Sequence, residues 1–149
     1  MEPPNLPVPL RLTLRSGTVY YFEHRGLTSG EPHFFIVLNA EPQSDKVLIL
    51  AVGSSQIDKV RRRRAGLPPE SLVVVDQSDY PDFSKPTVID CNQVFELSKG
   101  ELIQKFNARE LRHHLDLPKE VLQKIWVGVK KSPRVDEIHK RLLPPDTVN

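Results

Sequence analysis

The 149 residues carry 21 Lys/Arg against 19 Asp/Glu, a net charge of +2 that is too small to mark a nucleic-acid binder by composition alone. A single cysteine, Cys91, excludes an internal disulfide framework and fits a reducing compartment. The opening MEPPNLPVPL has neither a basic leader nor a long apolar run, and no later segment reaches the length of a bilayer span, so one cytoplasmic domain without membrane attachment is expected.

Residues 1–9 are proline-rich and read as an arm. Leu10, Leu12 and Leu14 alternate with polar residues up to Ser16-Gly17, and TVYYFE follows. That spacing predicts a β-hairpin, although an arm ending in one helical turn gives a similar string. Residues 24–31, HRGLTSGE, form a loop. The chain is organised around two unbroken apolar runs, residues 34–38 and 47–52, joined by a polar stretch around Pro42. They predict neighbouring strands covered on both faces, in the core of a small barrel or sandwich.

After Gln56, the run Arg61, Arg62, Arg63 and Arg64 and the following GLPP predict a solvated loop. Residues 71–76 and 87–95 read as further strands, the second with Val88, Cys91 and Phe95 inward and a bulge near Asp90. Between them lies a long proline-bearing loop, where Tyr80 and Phe83 either stack on bases or pin the loop to the body. From Ser98 the period becomes helical. Ser98 and Glu101 stand at capping-box spacing, Leu102, Ile103 and Phe106 share a face, and residues 107–117 are ambiguous. A longer helix beginning near Pro118 carries Val121, Leu122, Ile125, Trp126 and Val129. Ser132-Pro133 predicts a last helix with Val135, Ile138 and Leu142 on one side. Strands followed by helices give an α+β class: a β barrel over residues 10–97 and a helical C-terminal extension over 98–149.

Several short motifs occur in a telling order. Gly17 opens a strand, Glu31-Pro32-His33 enters the next, and Val52-Gly53-Ser54-Ser55-Gln56 ends a third. Asp90-Cys91-Asn92-Gln93 later leads towards a helix. Over roughly residues 16–106 this resembles the MazF/PemK/Kid family of ribonuclease toxins, SH3-like antiparallel barrels of about five to seven strands from bacterial toxin–antitoxin pairs. The resemblance implies a metal-independent endoribonuclease that cleaves single-stranded RNA without a cofactor, acts as a homodimer and is silenced by an antitoxin protein.

By that resemblance the catalytic candidates are His33, Ser54, Ser55, Asp90 and Asn92. His33 stands where the family places an arginine beside a proline, and Ser54 and Ser55 match its hydroxyl after the third strand. Asp90 and Asn92 stand where one branch has an arginine and an aspartate. His24 and Arg25 are then the nearest replacements for the missing phosphate clamp. RNA contacts fall to His24, Arg25, Gln56, Gln93 and the Arg61–Arg64 run, whose guanidiniums suit phosphates. Each residue also has a plainer reading: a strand start for His33, strand termination for the serines, local hydrogen bonding at a bulge for Asp90 and Asn92, and solvated surface for the arginines. An alternative function is a non-catalytic RNA-binding or protein-interaction module on the same barrel.

Overall fold

The computed structural model describes residues 5–27 and 30–145. The first four residues of the expected arm lie outside this range. Elements follow the order α1 (Val8–Thr13), β1 (Val19–Phe22), β2 (His33–Val37), β3 (Val47–Ser54), α2 (Ile57–Arg63), β4 (Leu72–Val75), β5 (Thr87–Ser98), α3 (Lys99–Asn107), β6 (Arg112–His114), α4 (Lys119–Lys131) and α5 (Glu137–Lys140). The class is α+β, with one six-stranded sheet in the order β4-β5-β3-β2-β1-β6, every pairing antiparallel.

The expected barrel is not closed. β4 and β6 are edges, and no ladder joins them. The stretch expected as a first strand is instead α1, so the predicted hairpin is absent there. Leu10 and Leu14 lie one helical turn apart and are both buried, while Leu12 is 71% exposed. Helical spacing thus explains the burial that strict alternation does not. Gly17, at φ +88°, makes the turn into β1.

The two apolar runs form β2 and β3, paired with Phe35 opposite Val52 and Val37 opposite Leu50. Their side chains alternate between two cores. Ile36, Leu38, Ile49 and Ala51 face one; Phe35, Val37, Leu48 and Leu50 face the other. The first core is covered by α4 through Leu122, Ile125 and Val129, each burial stabilising by about 1.5–3 kcal/mol. Trp126 fixes the helix to the sheet by donating from Nε1 to the Leu38 carbonyl at 3.0 Å. The second core lies beneath α1 and α3. Ser98 caps α3 by accepting from the Glu101 amide at 3.1 Å, and its hydroxyl donates to the Glu101 carboxylate at 3.3 Å, so the two residues meet at the helix start as their spacing predicts.

Two further expectations change. The arginine segment is mostly helical: α2 ends in it, with Val60 and Arg64 buried together. The final helix does not begin at Ser132-Pro133. Ser132 ends α4, α5 starts after Asp136, and Ile138 is 73% exposed. The predicted bulge is present on β5, where Cys91, Asn92, Gln93 and Val94 intervene between the partners of Val52 and Leu50.

Candidate functional site

The chemistry-bearing strand ends meet at one margin of the sheet. If the β2–β3 register is carried two residues beyond Phe35–Val52, His33 falls opposite Ser54. Ser54 pairs in turn with Val88 of β5. The result is a pocket of about 310 Å³ lined by His33, Ser54, Ser55 and Gln56, with Tyr21 on one side and Lys85 on another. Gly53 allows the strands to close here: a Cβ at that position would lie 2.9 Å from Thr87 Cγ2. Phe34 forms part of the wall, its ring 4.7 Å from Tyr21 and 5.0 Å from Phe83.

His33 has a defined tautomer in this geometry. Its Nδ1 lies 2.9 Å from the Glu31 carbonyl oxygen, which can only accept, so Nδ1 carries the hydrogen and the neutral ring keeps its lone pair on Nε2. Ser54 Oγ accepts from the Gln56 amide at 3.1 Å and keeps its own hydrogen for a further acceptor. Lys85 is the cation that motif reading did not single out. Tyr80 and Phe83 are almost completely buried and pin the loop after β4, which delivers Ser84 and Lys85 to the pocket. Of the two readings of those aromatics, pinning is the one realised. The aromatic pair in QSDYPDFSKP hints in sequence that this loop is anchored, but not where the anchoring carries its lysine.

Asp90 and Asn92 do not line this pocket. Asp90 is buried beneath α2, its Oδ2 2.9 Å from both Nε and Nη2 of Arg64, with Arg63 at 3.8 Å. Asn92 donates from Nδ2 to Asp90 Oδ1 at 3.1 Å and to Ser71 Oγ at 2.9 Å, and accepts from Ser132 Oγ at 2.7 Å. These bonds tie the β5 bulge to the turn before β4 and to the end of α4. Cys91 lies between them, its thiol pushed well above its usual range, chiefly by burial and then by the neighbouring Asp90 charge. It is a packed group, not a nucleophile.

The remaining candidates are dispersed. His24 is buried, accepting at Nδ1 from the Gly26 amide and donating from Nε2 to the Glu96 carbonyl, among Phe22, Phe35 and Phe95. Arg25 is exposed and pairs with Glu101 at 3.1 Å. Arg61 and Arg62 are exposed on α2, Arg63 is half exposed with its guanidinium 3.8 Å from Asp90, and Arg64 is spent on Asp90. Gln93 lies in a separate depression with Arg134 and His139.

No family model and no curated protein matches the sequence. Solved structures share its fold. The chain is similar to one in the crystal structure of a MazE–MazF complex from Deinococcus radiodurans, with a TM-score of 0.52 and 10% identity over 78% of this chain and 92% of that one. It is also similar to a chain in the structure of an endoribonuclease with its cognate antitoxin from a mycobacterial species, at TM-score 0.50 and 10% identity over 83% and 96%. The fold is MazF-like. On this MazF-like sheet the residues of the pocket come from β1, β2, β3 and the loop entering β5, so four separate pieces of sequence define it. Among the described residues, no helix is long and apolar enough to cross a membrane.

Proposed function

We propose that the chain is a MazF-type toxin, a metal-independent endoribonuclease that cleaves single-stranded RNA and works as a homodimer controlled by an antitoxin. The observation that carries this reading is the pocket itself: His33, whose Nε2 is not used by the Glu31 contact, lines it together with Ser54, Ser55 and Lys85 on a MazF-like sheet. In the reaction, His33 Nε2 takes the proton from the RNA 2′-hydroxyl, whose oxygen then bonds to the adjacent phosphorus. Ser54 and Ser55 donate hydrogen bonds to the phosphoryl oxygens as charge gathers there. The bond from phosphorus to the 5′ oxygen breaks, and Lys85 supplies the proton to the departing oxygen. A cyclic phosphate and a 5′-hydroxyl result. Asp90 and Asn92 support the scaffold, through Arg64, Ser71 and Ser132.

The test is cleavage of a mixed single-stranded RNA by the purified chain. His33→Ala is expected to lower the rate by about 10²–10⁴-fold, the usual weight of a general base, without altering the melting temperature. A His33→Ala variant that cleaves as well as the unaltered chain would refute the assignment. Absence of cleavage by either, with RNA binding retained, would favour the non-catalytic module.

A further inference from the structure

A second cavity, about 650 Å³, adjoins the pocket just described, and the two share Tyr21 and Pro32 along their common border. It lies between the end of β1, the end of α3 and β6. Its walls bring together Arg25, Lys105, Arg109 and Arg112 against two acids, Glu23 and Glu110. Two of the four cations are already engaged. Arg25 pairs with Glu101, and Lys105 donates to the Glu23 carbonyl at 2.9 Å while its ammonium stands 5.5 Å from the centre of the Phe22 ring.

Arg109 and Arg112 are different. Both are exposed, and neither forms an ion pair with a described residue. Arg109 also holds φ +60°, the left-handed region, at the tight exit from α3 that turns the chain towards β6. An asparagine or glycine would suit that backbone better, yet the position carries a guanidinium beside the cavity. Free cations next to an aromatic ring are the two ingredients of single-strand recognition: phosphates on the cations and a base on the ring face.

We infer that this cavity is a strand-binding subsite of the RNA site, in which Arg109 and Arg112 hold phosphates flanking the scissile one and Tyr21 stacks a base at the border between the two pockets. The inference rests on the RNA reading of the first pocket but can fail separately from it. The cations need no fixed geometry to attract a polyanion, so the contribution of this subsite is electrostatic and salt-dependent. Cutting still occurs at His33, and the subsite determines how much strand is held.

The test uses the full chain and a fluorescent single-stranded RNA oligonucleotide with every 2′-oxygen methylated, which binds but lacks the attacking hydroxyl. Anisotropy is followed across a range of salt. Replacing both arginines, Arg109→Ala with Arg112→Ala, is expected to weaken binding about tenfold or more at low salt and to reduce the slope of log affinity against log salt by about 0.7 per arginine. Tyr21→Leu is expected to weaken binding with the slope unchanged. Melting temperatures check folding, and the single exposed substitution Arg112→Glu provides a second variant should the pair fold poorly. Unaltered affinity and slope in the arginine variants would overturn the subsite, as would failure of the unaltered protein to bind. Cleavage of unmodified RNA is scored in parallel. A protein that binds with the expected slopes but never cleaves keeps the subsite and loses the nuclease, whereas one that cleaves with no arginine dependence does the reverse.

Discussion

At the scale of single residues, the arginine run divides one group from its neighbours. Arg64 is one of four identical side chains in sequence, and only the tertiary fold places it on Asp90, with both side chains more than nine-tenths buried. Truncating Asp90 leaves a buried guanidinium without its partner. Asp90→Ala is therefore expected to cost about 3–5 kcal/mol in urea unfolding. The proposed RNA cleavage should largely persist in the same variant held folded at low temperature, since Asp90 lies outside the pocket. His33 and the serine pair stand out in the sequence because they flank continuous apolar runs, at the start of β2 and the end of β3, and strand ends are where a sheet exposes polar groups. Lys85 does not stand out, because its position beside the pocket depends on how Tyr80 and Phe83 anchor a loop, and a single sequence does not show which of its aromatics are buried. A faint signal did exist for Arg64: Val60 lies four residues earlier, the spacing of one helical face.

At the scale of elements, the strongest periodic segments were legible and the short ones were not. β2, β3, α3 and α4 follow their apolar patterns closely. α1 does not, because leucines at 10, 12 and 14 satisfy period two while leucines at 10 and 14 also satisfy one turn of helix, and packing decides between them. The seating of α4 depends on Gly128, which no hydrophobic pattern would mark. A Cβ there would lie 2.5 Å from the Glu70 carbonyl oxygen and 2.9 Å from Cys91 Sγ. Alanine is the better helix former by about 1 kcal/mol, but overpacking against a backbone oxygen costs about 1–3 kcal/mol. Gly128→Ala should therefore be net destabilising, with a lower urea midpoint and an unchanged m-value. An unchanged or raised midpoint would mean that α4 can lift away from the turn before β4.

At the scale of the whole molecule, the class and most of the strand content were legible, whereas closure was not. Closure depends on whether the first and last strands can pair, and α1 removes one strand that would have been available. The two cores share β2 and β3 as a common wall, so neither can dissolve without exposing the back of the other. We propose that the chain unfolds as one unit. Far-ultraviolet and near-ultraviolet circular dichroism should report the same melting midpoint, and separated midpoints would show that the α4 side and the α1/α3 side come apart independently. The open sheet has a further consequence for how the protein behaves when crowded. Its two rims are not equally guarded against sticking to other chains. β6 is only three residues long and begins with a charge, a rim that discourages accretion, whereas β4 presents an uncharged Leu-Val-Val-Val run with Val74 42% exposed. Any slow precipitation of concentrated stocks should therefore start along β4, where nothing in the strand's own composition opposes the addition of a foreign strand.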